Sequence, residues 1–335
     1  MKNTKLAKLG SVLAATALVL SACGASNSGG EPAGGSGGDE TNAGGKDWAK
    51  CKPGEGSKDV AGTTDDEKTV TLGIFSGWDE SYATIYLLKN VLESDGYTVK
   101  TEELDAGPMF TGVAKGDIDF FTDGWLPLTH ESYIKQFGDQ LVDHGCWYDN
   151  AKLTIAVNDD SPAKTIGDLK DMGDKYDNTL YGIEAGAGLT KTTKGNAIPE
   201  YGLENLDFKI SSTPAMLAQL KKSTEAKQNV AVTLWRPHWA YDAFPIRDLE
   251  DPKNAMGDAE RIFSFSGKDS AKAHPYVSQL LQNLVLDDKH LASLENLMFA
   301  EDNYNGKDHE KAVAEWLKDN SDFVDQWKKG ELAKK

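Results

Sequence analysis

From residue 68 onward the chain alternates short apolar runs with stretches in which apolar positions recur every three or four residues. The run 68–75, KTVTLGIF, predicts a buried strand, and 81–94, SYATIYLLKNVLES, predicts a helix that stops at Asp95-Gly96. The same reading predicts a strand at 97–104, a short helix at 109–115 and a strand at 117–121 that runs into Thr122-Asp123-Gly124-Trp125. Further strands are predicted at 152–157, 179–183 and 229–234, the last ending at Trp235, with a short capped helix at 165–172. Ser212-Thr213-Pro214 opens a helix through Lys222, with a hydroxyl cap and a proline in the first turn. Beyond Pro275 the pattern is mostly amphipathic helix, ending with 309–328, and no internal repeat is visible. Strands alternating with helices predict parallel sheets covered on both faces, and about 270 residues of such pattern suit two α/β lobes better than one sheet.

The first 67 residues follow other rules. Lys2, Lys5 and Lys8 precede an apolar run from Val12 to Leu20. That run is too short for a membrane span, which needs about 20 apolar residues, and suits the apolar core of a signal peptide. It ends Leu20-Ser21-Ala22-Cys23, which resembles a bacterial lipobox. The resemblance implies a signal peptide at 1–22, cleavage before Cys23 and acylation of its thiol; the alternative is an ordinary signal peptide with an incidental cysteine. Residues 24–45 contain no large apolar side chain. Such a Gly/Ser-rich coil cannot offset the entropy of ordering and has an r.m.s. reach of roughly 25 Å. The expectation is a folded body held to the outer side of the cell membrane by a lipid on Cys23 and a tether at 23–67.

The sequence has 335 residues, 36 Lys+Arg against 53 Asp+Glu and a formal net charge of −17. With no basic stripe to neutralise phosphates, a nucleic-acid partner is excluded. Acidic surface favours solubility and a monomer. Three cysteines are too few for a disulfide scaffold and lack the CxxC spacing of a zinc site. In an exported protein Cys51 and Cys146 are expected to pair, pinning the segment around Trp48, with two free thiols as the alternative.

Eight tryptophans change the picture most. Trp78, Trp125 and Trp235 each follow a predicted strand, and in open α/β sheets ligands bind beyond the carboxyl ends of strands. Converging indoles make a cage for a quaternary ammonium, which has no N–H to donate and is held by π faces. Packing in a core or hinge is the competing reading. His130 lies in the loop after Trp125, and Thr190 follows the turn Gly186-Ala187-Gly188-Leu189. Backbone N–H groups of such a turn accept an anion, and a ring nitrogen of His130 can share it. Taken alone, each of these two signals is weak.

The stretches GIFSGWDESYATIYLLKNVLESDGY, LDAGPMFTGVAKGDIDFFTDGWLPLTH, WYDNAKLTIAV, GIEAGAGLT and LWRPHW resemble the OpuAC-type glycine betaine/proline betaine substrate-binding proteins of ABC transporters. The resemblance implies a type II periplasmic-binding-protein fold, α/β in class, with lobe 1 at 68–157 and 266–335 and lobe 2 at 158–265. It implies a trimethylammonium cage of Trp78, Trp125 and Trp235, and a carboxylate held by His130 and the backbone N–H groups of Gly188 and Leu189. His238 and Trp239 are shared with the family and are read as packing behind the cage. Leu234, Arg236 and Glu184-Ala185 depart from the family's residues, leaving pocket width and ligand ranking open. The implied partners are glycine betaine, or a related quaternary ammonium zwitterion, and a membrane permease, with no cofactor and no metal. Carnitine, choline or an amino acid are alternative ligands. An enzyme is the remaining alternative: no HExxH pair occurs, and although His130 with Asp123 or Asp143 can be arranged as acid and base, nothing positions a nucleophile.

Overall fold

The computed structural model describes residues 46–334, so the signal peptide, Cys23 and most of the tether lie outside the described residues. Nine strands form one mixed sheet: β1 (Thr69–Phe75), β2 (Thr98–Leu104), β3 (Phe120–Leu126), β4 (Leu141–Asn158), β5 (Thr179–Tyr181), β6 (Asp207–Lys209), β7 (Ala231–Arg236), β8 (Ile246–Asp248) and β9 (Glu260–Gly267). Their order is β2-β1-β3-β9-β4-β7-β5-β6, with β8 also on β4.

The sheet has two sections that share β4. Its first part pairs with β9 as far as Ala151↔Glu260, and from Lys152↔Arg236 onward it pairs with β7. The first section, β2-β1-β3-β9-β4, and the second, β4-β7-β5-β6, are therefore joined through a continuous strand rather than being separate sheets. The expected lobe boundaries at 157/158 and 265/266 both fall inside strands, β4 and β9; β4 changes partner earlier, between Ala151 and Lys152, while β9 keeps β3 and β4 as partners along its length.

The expectation of purely parallel pairing is corrected. β1 pairs parallel with β2 and β3, and β5 with β6 and β7. β9 runs antiparallel between β3 and β4, and β7 and β8 run antiparallel to β4. Returning the chain through β9 forces this, because a strand entering from the other section crosses in the opposite sense. The boundaries of β3 also shift: Trp125 sits inside that strand, opposite Ile262 of β9, not beyond its end. The predicted helix at 309–328 is two, His309–Asp319 and Phe323–Lys329, interrupted where Asn320 caps the first.

Local chemistry explains the elements that hold the site. The helix Asp79–Ser94 begins directly after β1 and is buried along Ala83, Leu87, Val91 and Leu92. Ser212 Oγ accepts from Ala215 N at the start of Thr213–Glu225, as the hydroxyl-cap pattern predicts. Four tryptophans serve packing: Trp48 lies edge-on to Phe263 at 5.1 Å, Trp147 donates to Thr122 O at 2.5 Å, Trp316 to Ser293 Oγ at 2.8 Å and Trp327 to Leu280 O at 2.6 Å. Cys51 and Cys146 are joined as a disulfide across 95 residues of sequence, with Lys46 salt-bridged to Asp143 beside it. Closing a loop of this length contributes on the order of 4–5 kcal/mol through the unfolded state. Replacing both cysteines by serine is expected to lower unfolding free energy by an amount of that order, read from urea titrations of the two proteins; an unchanged midpoint would show that the strap is held by packing alone.

Candidate functional site

One small cavity is lined by Trp78, Glu80, Trp125, Thr129, Leu153, Ile183, Ala187, Gly188, Leu189 and Trp235. The three indoles singled out from the sequence thus meet around a single space, and both turn residues face it. Trp78 enters from the turn between β1 and the helix Asp79–Ser94, Trp125 from β3 and Trp235 from β7. The first two belong to one section of the sheet and the third to the other, with Leu153 supplied by β4 just past the point where its partner changes. Trp78 is stacked on Phe75 at 4.8 Å with the planes 4° apart, which fixes its orientation.

Gly188 and Leu189 open the short helix Gly188–Thr192, so their N–H groups have no acceptor in a preceding helical turn. Position 188 requires glycine: an added Cβ would lie 2.2 Å from the carbonyl oxygen of Thr129. That carbonyl is not free to retreat. Glu260 of β9 accepts from the backbone N–H groups of Leu128 and Thr129, at 2.7 and 2.9 Å, and from the Thr129 hydroxyl.

His130 is placed differently from the other predicted residues. It is wholly buried but does not line the cavity; Thr129 does. Its ring lies parallel to Trp78 at 5.5 Å, and its Nδ1 accepts from Trp125 N at 2.9 Å. The ring proton therefore resides on Nε2, which has no partner among the described residues. Burial, helped by Lys191, pushes the imidazole down to about 3, so it is neutral. His238 is likewise held at about 3 by burial, with Nδ1 accepting from Ala240 N.

Of the carboxylates buried here, the sequence reading named only Asp123, as an acid or base in the enzyme alternative. Asp79, Glu80, Asp123 and Glu295 are all buried around this cavity or behind it. Trp125 Nε1 donates to Asp123 Oδ1 at 2.7 Å, Trp235 Nε1 to Glu80 Oε2 at 3.0 Å, and Trp239 Nε1 to Asp79 Oδ2. Burial pushes Glu80 up to about 7. Burial and then repulsion from Glu80 raise Asp79, Asp123 and Glu295 well above the carboxylate range, with Asp79 and Asp123 also acting on Glu295. Glu80 lies just before the helix predicted from Ser81 and carried no reading of its own, whereas the observed helix begins at Asp79. Thr129, Leu153, Ile183 and Ala187 carry no signal beyond their neighbours in sequence.

The positions expected to depart from the family's residues, Arg236, Glu184 and Leu234, do not line the cavity. Arg236 pairs with Asp248 at 2.6 Å and covers the Tyr241 ring at 3.5 Å. Glu184 accepts from Thr213 N at 2.6 Å and from its hydroxyl at 3.0 Å, capping the helix Thr213–Glu225. Leu234 is buried without lining the cavity. Among the described residues no group of His, Cys, Asp and Glu is arranged to hold a metal ion.

Comparison with known proteins gives the family. The substrate binding domain of ABC-type glycine betaine transport systems, OpuAC, matches residues 68–319. The chain belongs to the OpuAC family. These are substrate-binding domains, not enzymes. A glycine betaine/carnitine transport binding protein of Listeria monocytogenes is 36% identical over 163 residues, 48% of this chain and 52% of that protein. The chain thus spans about half the length of that curated relative. The solved structure of lactococcal OpuAC, closed on glycine betaine, is 29% identical and superposes with a TM-score of 0.71 over 78% of this chain and 99% of that one. An ABC-transporter choline binding protein in complex with choline is 25% identical, with a TM-score of 0.69 over 79% of this chain and 96% of that one.

Gly188→Ala is expected to force the turn away from Thr129 and admit water to the three indoles. Tryptophan emission should shift to the red while helix content by circular dichroism stays constant. An unshifted emission maximum would count against the close contact at this position.

Proposed function

We propose that this OpuAC-family chain captures glycine betaine, and proline betaine as a close analogue, outside the cell and delivers it to an ABC permease for compatible-solute uptake. The observation that carries this reading is the convergence of Trp78, Trp125 and Trp235 with the N–H groups of Gly188 and Leu189 on one small cavity. The cavity is small and walled mainly by apolar side chains, which suits a small solute with a methylated head. Indole faces surround a trimethylammonium at about 1–2 kcal/mol each, and charge-assisted hydrogen bonds to a carboxylate add about 1.5–3 each. Micromolar affinity needs about −8 kcal/mol, so the sum leaves room for ordering costs.

In this reading His130 contributes its Nε2–H to the carboxylate end, and closure of the two sheet sections brings donor and cage together. Lobe 1 then comprises β1–β3, β9 and the first part of β4, and lobe 2 comprises β5–β8 and the rest of β4. Acylation of Cys23 holds a monomeric body at the membrane through the 23–67 tether, and the closed form is what the permease recognises.

Titrating tryptophan fluorescence with glycine betaine, carnitine and choline tests the reading. Glycine betaine is expected to saturate, with choline at least tenfold weaker because it leaves the carboxylate donors unmatched. Trp235→Ala is expected to cost more than tenfold in glycine betaine affinity with the fold intact. Saturation by choline but not by glycine betaine would overturn the role given to His130, Gly188 and Leu189, and unchanged affinity in Trp235→Ala would remove that residue from the cage.

A further inference from the structure

Asp79 and Glu80 are consecutive residues at the start of one helix, and Trp235 and Trp239 stand at and just beyond the end of β7. The two pairs meet across the line where the sheet sections face each other: Glu80 accepts from Trp235 Nε1 at 3.0 Å and Asp79 from Trp239 Nε1. His238 Nε2 approaches Asp79 Oδ2 at 3.5 Å, without a hydrogen bond. All four partners are buried. Trp239 does not line the cavity, so its bond to Asp79 is not explained by ligand contact.

We propose that Asp79 and Glu80 are positioning residues that latch the two sections together, each by one indole N–H, so that the Trp235 wall of the cage stands in place only when the cleft is shut. The proposal rests on reading the cleft as a closing site for a quaternary ammonium. In an open cleft the carboxylates and the indole N–H groups return to water, and the latch contributes nothing. On closing, each donor finds an acceptor, and an indole N–H buried without one would oppose closure.

The charge balance makes the latch selective for an occupied cage. The groups that face Asp79 and Glu80 from other elements are Asp123 of β3 and Glu295 of the helix Asp288–Phe299, both acids, the neutral His238, and, across an outer cavity that Asp79 also lines, Glu103, His309 and Lys221, the last paired with Glu301. Among the described residues neither Asp79 nor Glu80 has a Lys or Arg ion pair. Shutting an empty cage therefore buries uncompensated negative charge or takes up protons, whereas a methylated ammonium beside Glu80 brings the missing positive charge with it.

The test uses the full folded body with glycine betaine as probe. Trp239→Phe keeps the ring and removes only the N–H; Asp79→Ala removes the acceptor, and Asp79→Asn restores an uncharged one. Trp239→Phe and Asp79→Ala are expected to weaken glycine betaine about tenfold, chiefly through faster dissociation in stopped-flow fluorescence. Asp79→Asn should recover to within about threefold of the parent, since a carbonyl oxygen still accepts the indole N–H. The melting temperature without ligand should not change, while the increase produced by ligand should shrink in the two damaging variants. Unchanged affinity in Trp239→Phe, equal damage from Asn and Ala, or an equal melting loss with and without ligand would each overturn the latch. Failure of the parent protein to bind glycine betaine would instead overturn the functional reading on which it rests.

Discussion

Asp79, Glu80, Asp123 and Glu295 are withdrawn from water around one cleft, and among the described residues no Lys or Arg is paired with them. Removing a carboxylate from water is costly unless a counter-charge or a proton compensates it. The two nearby imidazoles, His130 and His238, give no relief because the same burial holds them neutral. What remains are indole N–H groups, which satisfy hydrogen-bonding capacity but not charge. The cleft answers that imbalance with aromatic walls in place of polar ones, N–H donors in the Gly188 turn and carboxyl groups raised toward their protonated form.

The sheet delivers these groups to one point because β4 changes partner in mid-strand. Its first part continues the section that carries Trp78 and Trp125, and its second part pairs with β7, which carries Trp235. Leu153, one residue beyond Lys152, therefore forms the floor between walls belonging to different sections. A ligand resting on that floor would touch both sections at once, the contact through which the proposed closure would follow occupancy. Glu260 occupies the corresponding place on β9. By clamping the Leu128 and Thr129 backbone it fixes the surface against which Gly188 closes.

Much of this was legible from pattern alone where local chemistry decides structure. The strand before Trp78, the helix after it, the capped helix at Ser212 and the strand ending at Trp235 all emerge from apolar spacing and capping residues. Long-range pairing decides the rest. The strand β9 reads locally as an unremarkable mixture, ERIFSFSG, and becomes a strand because β3 and β4 offer it two edges. That same pairing extends β3 through Trp125, which local pattern placed after the strand. Glu80 was invisible for a different reason: an acid at the start of a helix has an ordinary explanation in the helix dipole, and only the tertiary burial of that turn removes it.

The contrast among the eight indoles shows why tryptophan, and not another aromatic, is used at the cleft. Trp147, Trp316 and Trp327, which pack helices and strands elsewhere, donate to a carbonyl or a hydroxyl. Trp125, Trp235 and Trp239 donate to carboxylates. An indole hydrogen-bonds in the plane of its ring and attracts a cation at its face, so the two contacts do not compete. Where the accepting carboxyl is ionised, it also polarises the ring, leaving its faces more negative toward a cation. Phenylalanine would keep the face and lose the anchor. Tyrosine would place its donor at the far tip of the ring, away from Glu80, and histidine would offer a smaller π face.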